Sequence, residues 1–184
     1  MKTANWLVFL IVMSVLPLQE TRGDEPLSSK ADFASKVTVS AIRAKKTKIE
    51  GGDFDDMKDR ISFTIKLRNS DPNRPFPGLK LEFYLFGESM VAKRALQFLQ
   101  KYEQTFELAP LKELILTTPE VVSAWDDTNA VFGSKYKGWY LLIRDASGQL
   151  LSEKSTSGFL SGIDGLPNLK VDQLYNRNLQ PVKE

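Results

Sequence analysis

Four aspartates, Asp53, Asp55, Asp56 and Asp59, crowd the stretch from Glu50 to Asp59, which also holds Gly51 and Gly52. Carboxylates at this density are the hard oxygen ligands that calcium takes, and Asp53-x-Asp55 matches the opening of an EF-hand loop. The match stops there. No glycine stands at the sixth loop position and no glutamate at the twelfth, and an alternating strand pattern begins at once. A solvated hairpin loop is the simpler reading, with a calcium site as the alternative. Asp126 and Asp127 would join such a site only if folding brought them near.

Other chemistry is narrowed by what the chain lacks. It has no histidine and no cysteine, which closes Ser-His-Asp and Cys-His nucleophiles, histidine-ligated zinc, iron–sulfur clusters and lipoprotein acylation. Ser134-Lys135-Tyr136-Lys137 fits Ser-x-x-Lys, but that pairing works across a helical turn and this stretch leads into a strand. Carboxylate pairs for glycoside hydrolysis could be drawn from the aspartates above, yet nothing in the sequence sets their separation.

Aromatic residues give the remaining candidates. Trp125, Trp139, Tyr136 and Tyr140 could form a platform on which sugars stack. Trp139 lies in the middle of an apolar strand and belongs to a core, where Trp139→Ala would cost roughly 3–5 kcal/mol. Trp125, beside the polar Asp126-Asp127-Thr128-Asn129, is the better exposed aromatic. Arg43, Lys45, Lys46 and Lys48 cluster without interleaved aromatics and are best explained as the charged protection of a strand edge.

The element that must position these groups is Tyr136 to Leu151. Trp139, Leu141 and Ile143 alternate with Tyr140, Leu142 and Arg144, and Asp145-Ala146-Ser147-Gly148 supplies a turn, so the stretch predicts a hairpin whose first strand is apolar on both faces. Ile61, Phe63, Ile65 and Leu67 alternate with Ser62, Thr64, Lys66 and Arg68, the pattern of a strand buried on one side. Asn69 to Gly78, with three prolines, predicts a loop. Leu79, Leu81, Phe83 and Leu85 resume the alternation, with Tyr84 and Phe86 opposite them. Val91, Ala95, Phe98 and Tyr102 share a helical stripe and predict an amphipathic helix over 91–102. Gln104 to Leu108 and Leu111 to Thr117 are strand-like, Val121 to Trp125 a turn or short helix, and Leu166 to Leu179 a short C-terminal helix.

About seven short strands divided by turn signals argue for an antiparallel β-sandwich. The Tyr-Lys-Gly-Trp-Tyr-x-x-x-Arg-Asp-x-x-Gly hairpin resembles the last two strands of immunoglobulin-like and fibronectin type III sandwiches, and the resemblance covers the pattern of Phe33 to Ser157. It implies a fold and no ligand. The inter-sheet cysteine pair of antibody domains is absent, and the helix looks inserted mid-chain.

Lys2, the apolar run Trp6 to Leu16, Pro17 and the small residues Thr21 and Gly23 have the form of a signal peptide over 1–23, cut before Asp24. The apolar run is shorter than the roughly 20 residues of a spanning helix. A disordered leader over 24–34, a sandwich over 35–157 and a C-terminal segment over 158–184 complete the expected organisation. The whole chain carries a net charge of +2, and losing Lys2, Glu20 and Arg22 leaves it near neutral, which gives no case for nucleic acid or an anionic membrane. No Asn-x-Ser/Thr sequon occurs. With the missing cysteines, this favours a bacterial envelope or secreted location, periplasmic or extracellular.

These features lead to an exported, non-enzymatic domain that binds a protein partner. If one face of each two-sided strand meets the other sheet, Tyr84, Phe86 and Tyr140 still need a cover, from the chain itself or from a partner. The alternative function is a carbohydrate-binding module using Trp125 and neighbouring aromatics, with calcium at the acidic loop. A hydrolase working through an aspartate pair comes third.

Overall fold

The computed structural model describes residues 29–49, 57–126, 131–156, 158–160 and 162–182. The expected signal peptide and residues 24–28 of the leader lie outside them. A short helix α1 (Lys30–Lys36) is followed by strands β1 (Val37–Ile49), β2 (Met57–Asn69), β3 (Phe76–Ser89), β4 (Leu96–Leu108), β5 (Glu113–Thr117) and β6 (Val121–Asp126). β7 (Phe132–Arg144), β8 (Leu150–Ser155), a 3-10 turn at Leu166–Asn168 and the two-residue β9 (Leu174–Tyr175) complete the chain. Every pairing between strands is antiparallel. Among the described residues nine strands rather than about seven are joined, in the order β1-β2-β6-β7-β3-β4-β9, with β5 also on β2 and β8 also on β7.

β7 is the joint of this arrangement. Its first residues, Phe132 and Gly133, pair with β6, whereas Ser134 to Arg144 pair with β3 and its far end with β8. Gly133 makes the turn possible: its φ is +72°, and a Cβ there would lie 1.9 Å from the Ala124 carbonyl oxygen. Strands β1, β2, β5 and β6 therefore form one set and β3, β4, β7, β8 and β9 another.

The main core lies between the sets. Ile61, Phe63, Ile65 and Leu67 of β2 meet Leu79, Leu81, Phe83 and Leu85 of β3 and Leu141 and Ile143 of β7, all at most 1% exposed. The alternation expected for β2 and the two-sided apolarity expected for β3 and β7 are thus realised. A second cluster occupies the opposite face of β3, β4 and β7, where Tyr84, Phe86, Phe98 and Leu142 pack under Phe159, Leu166, Tyr175 and Leu179. The 145–148 turn is also as expected: the Asp145 carboxylate accepts bonds from Ser147 N–H at 2.9 Å and Gln149 N–H at 2.9 Å.

Several expectations are corrected. The helix over 91–102 is instead loop followed by β4. A register shift between Leu85 and Phe86 places Phe98 opposite Phe86 and Gln100 opposite Leu85, leaving Leu99 as an extra residue in β4. That bulge changes the phase, so Phe98 serves one cluster and Tyr102 the other. The four-residue spacing between them imitates a helical stripe.

Val121 to Trp125 is strand rather than turn or helix, since Ser123 and Trp125 point inward, Val122 and Ala124 outward, and all pair with β2. The C-terminal helix is replaced by the 3-10 turn and β9. Asp172 and Leu179 sit at φ +64° and +58°, and the backbone of the segment is recruited by β4, with Phe98 N–H donating to Gln173 and Asp172 N–H to Phe98.

At the other end, residues 30–34 of the expected leader belong to α1, capped by Ser29 accepting from Asp32 N–H. Phe33 is completely buried, edge-on to Phe76 at 5.3 Å. One apolar residue in so short a helix leaves no periodic signal. The loop before β3 is shorter than expected, because Phe76 already pairs with Leu108 and the chain absorbs Pro77 and Gly78 as an irregularity.

Candidate binding surfaces

Tyr84 and Phe86 are fully buried, with Phe98 at 6.2 and 5.6 Å from their ring centres and Phe159 at 5.4 Å from Phe86. Tyr140 is half-buried, edge-on to Phe159 at 6.1 Å. Burial pushes the Tyr84 phenol above its usual pKa. The chain's own C-terminal segment is therefore the cover these three residues need, and Tyr84 and Phe86 offer no open face.

Trp125 is not the exposed aromatic expected from its polar neighbours. It is 3% exposed, with the Lys45 and Lys135 ammonium groups 5.8 and 5.5 Å from its ring centre. Tyr136 likewise has the Arg43 guanidinium 4.5 Å from its ring centre. The reason is phase: β6 turns Trp125 to the same side as the buried Ser123, and β1 lays its basic residues over the aromatic edge. A flat sugar-stacking platform does not form there. Trp139, as expected, joins the core, stacked on Phe83 at 5.7 Å.

Of the acidic quartet only Asp59 lies among the described residues; Asp53, Asp55 and Asp56 fall outside them, as does Asp127. Asp59 is completely buried, ion-paired to Lys45 at 2.7 Å and accepting a 2.7 Å bond from the Thr47 hydroxyl. Its charge is thus answered by protein groups rather than left for a cation. Among the described residues no cluster of three acidic side chains is placed to hold a metal. Lys137 of the Ser-x-x-Lys match is paired with Glu88 at 2.7 Å, and Ser134 is buried with its carbonyl accepting from the Ser123 hydroxyl.

A charged lattice spans the solvent side of β3, β4 and β7. Lys80 bridges Glu82 and Glu103 at 3.1 Å each, Lys101 pairs with Glu103, and Arg144 reaches Glu82 at 3.2 Å. Hydrogen bonding from Lys101, then from Lys80, outweighs desolvation and lowers the Glu103 pKa from 4.5 to about 2. A carboxylate with a depressed folded pKa adds stability that is complete above its unfolded pKa and is lost as pH falls through the folded one. Glu103→Gln should therefore melt below the parent at pH 6, with the gap closing between pH 4.5 and about 2. The gap should be small and salt-sensitive, since Glu103 is 40% exposed. A gap unchanged down to pH 2 would assign it to packing instead.

Among the described residues, one broad surface is uncovered. On the outer face of β1, β2, β5 and β6, Ile42 lies opposite Thr64, which lies opposite Thr117; Ser40, Lys66 and Ile115 form the next row, and Lys46, Arg60 and Val122 another. Ile42, Ile115 and Val122 are 55%, 53% and 44% exposed. The surrounding charge is mostly basic, from Lys46, Lys58, Lys66 and Arg68, with Arg60 bonded to Glu120 at 2.9 Å. The sequence signal for this surface is the polar half of the β2 alternation, but Ile42, Ile115 and Val122 come from three other strands and are collected only by the pairing.

No protein-family model matches the chain, and no curated protein matches it. Among solved structures, a crystal structure from Akkermansia muciniphila is similar at TM-score 0.39 and 13% identity, covering 79% of this chain and 87% of that one. A β-glucosidase from Kluyveromyces marxianus is similar at TM-score 0.29 and 16% identity, over 65% of this chain and 14% of the enzyme. Likeness at this level carries no argument about activity or ligand. Among the described residues no helix is long and apolar enough to cross a membrane.

Proposed function

We propose that this chain is an exported, non-enzymatic immunoglobulin-like β-sandwich domain that binds a partner protein through the outer face of β1, β2, β5 and β6. The observation that carries the reading is the exposure of Ile42, Ile115 and Val122 on one sheet surface ringed by lysine and arginine. An apolar centre within a charged rim is the anatomy of a protein interface, and the basic rim calls for a partner whose own rim is acidic. Three strand columns at about 4.8 Å and 13 residues at about 3.4 Å each give a flat footprint on the order of 600 Å², near the ~800 Å² a standard partner buries.

Two further points support the reading. The aromatic face is already occupied by the chain's own C-terminal segment, and of the candidate acid–base groups among the described residues Asp59 is engaged by Lys45 and Lys137 by Glu88. Export rests on the apolar run Trp6 to Leu16.

Cross-linking in intact cells followed by mass spectrometry tests the proposal. Links from Lys46 and Lys66 to one acidic protein are expected. Ile115→Asp, with its melting temperature unchanged, should weaken that association at least about tenfold, as loss of an interface centre does. Links confined to lysines of the opposite set of strands would refute this choice of face.

A further inference from the structure

A second feature lies at the end of the molecule where the β3–β4 loop meets the C-terminal segment. Two adjoining grooves of about 370 and 490 Å³ share Arg94. The first is lined by Glu88, Ser89, Met90, Lys93, Arg94 and Lys135, the second by Arg94, Asn176 and Arg177. Among the described residues, Lys93, Arg94, Lys135 and Arg177 form no ion pair, whereas the one carboxylate in the lining, Glu88, is neutralised by Lys137 at 2.7 Å. Among the described residues these four cations line the two grooves with no carboxylate paired to them, Lys135 reaching the first groove from beside the Trp125 ring. Bringing them together raises their mutual repulsion, which a bound anion would relieve.

The scaffold that holds them is built rather than loose. Arg94 has φ +65°, a conformation that side-chain-bearing residues avoid. It is held there by Ala95 N–H donating to Ala92 at 3.0 Å and by Ser89 N–H donating to Ala95 at 2.9 Å. The Ser89 hydroxyl accepts from Ala92 N–H, and Met90 N–H ties the loop to Gly133. Across the groove, the Asn176 side-chain oxygen accepts from Asn178 and Gln180 N–H at 2.9 and 3.1 Å, fixing the turn that presents Arg177. Both arginines therefore project from turns whose backbones are ordered before any ligand arrives, which lowers the entropy cost of binding.

We infer that these grooves form an anion site for a ligand carrying two or more phosphate or sulfate groups, one held between Arg94 and the Lys93–Lys135 side and the next between Arg94 and Arg177. Guanidinium groups suit this role because their planar donors match the oxygens of phosphate and sulfate in pairs. Two adjoining grooves with one shared arginine favour a chain of charges over a single ion. The site is separate from the outer sheet face and stands whether or not that face binds a protein.

The test is calorimetric titration of the full chain at low ionic strength with inorganic tripolyphosphate and with orthophosphate, beside co-sedimentation with vesicles containing phosphatidic acid. Tripolyphosphate should bind saturably and at least about tenfold more tightly than orthophosphate. Arg94→Gln and Arg177→Gln should each lose roughly tenfold in affinity, while Lys66→Gln on the outer sheet face, as a charge control, should change it less than about twofold. Vesicle binding that Arg94→Gln abolishes, without tripolyphosphate binding, would support the site with a lipid phosphate as its source. Equal loss in all three variants would reduce the effect to net charge, and absence of saturable binding to tripolyphosphate, orthophosphate and the vesicles alike would overturn the inference.

Discussion

Deleting every residue after Thr156 is expected to turn a cooperatively melting protein into one that binds a hydrophobic dye and aggregates. Phe159, Leu166, Tyr175 and Leu179 are 5%, 1%, 2% and 7% exposed, and they lie over Tyr84, Phe86, Phe98 and Leu142. Burying each such side chain contributes about 1.5–3 kcal/mol, so four together contribute on the order of 6–12 kcal/mol. That is comparable to the entire stability of an ordinary domain. Part of it is offset, because the deletion also removes the entropy cost of ordering the segment.

The exposed patch, by contrast, is not offset by anything. Fully buried aromatic rings on the face of β3 and β4 would meet water, and the edge of β4 would lose its bonds with Asp172 and Gln173. Calorimetry and dye fluorescence check this directly. A truncated chain that melts cooperatively within a few degrees of the parent, without dye binding, would mean that the face is stable bare. Phe159→Ala is the milder version, removing the ring that touches both Phe86 and Tyr140.

The second large effect is expected from Phe83→Ala, at about 3–5 kcal/mol of destabilisation. Phe83 is 1% exposed and sits between Phe63, 4.9 Å away, and Trp139, stacked at 5.7 Å. Its removal leaves a cavity between the two sets of strands with rigid aromatic walls, which relax poorly. For a chain of this size the loss corresponds to a fall in Tm of roughly 6–20 °C. Trp139→Ala should fall at the low end of the same range, since Trp139 is only half-buried. Urea denaturation separates the possibilities. A change in midpoint worth less than about 1 kcal/mol would place Phe83 outside the cooperative core.

What could be read directly from the chain was the local pattern of strands whose faces differ. Ile61, Phe63, Ile65 and Leu67 declare a buried face whatever lies opposite, because a period of two needs no knowledge of the partner strand. Asp145 to Gly148 declares a turn for the same reason, since its hydrogen bonds close within five residues. The two-sided apolarity of β3 and β7 likewise announced that something must cover Tyr84, Phe86 and Tyr140.

Which segment does the covering, and what neighbours each candidate site residue receives, was decided only by tertiary structure. The bulge at Leu99 exists because β4 must match β3, and it erased the strand period on which any reading of 91–102 depends. Trp125 is buried because β6 pairs with β2 in one register and with the start of β7, which brings Lys45 to its ring from a distant part of the sequence and Lys135 from the next strand. Ile42, Ile115 and Val122, and the Arg94 and Arg177 side chains, are likewise collected from separate elements by pairing and by the C-terminal wrap. Hydrophobic alternation is a property of one strand; a surface is a property of several, and its composition follows from register and packing that involve residues far apart in the chain.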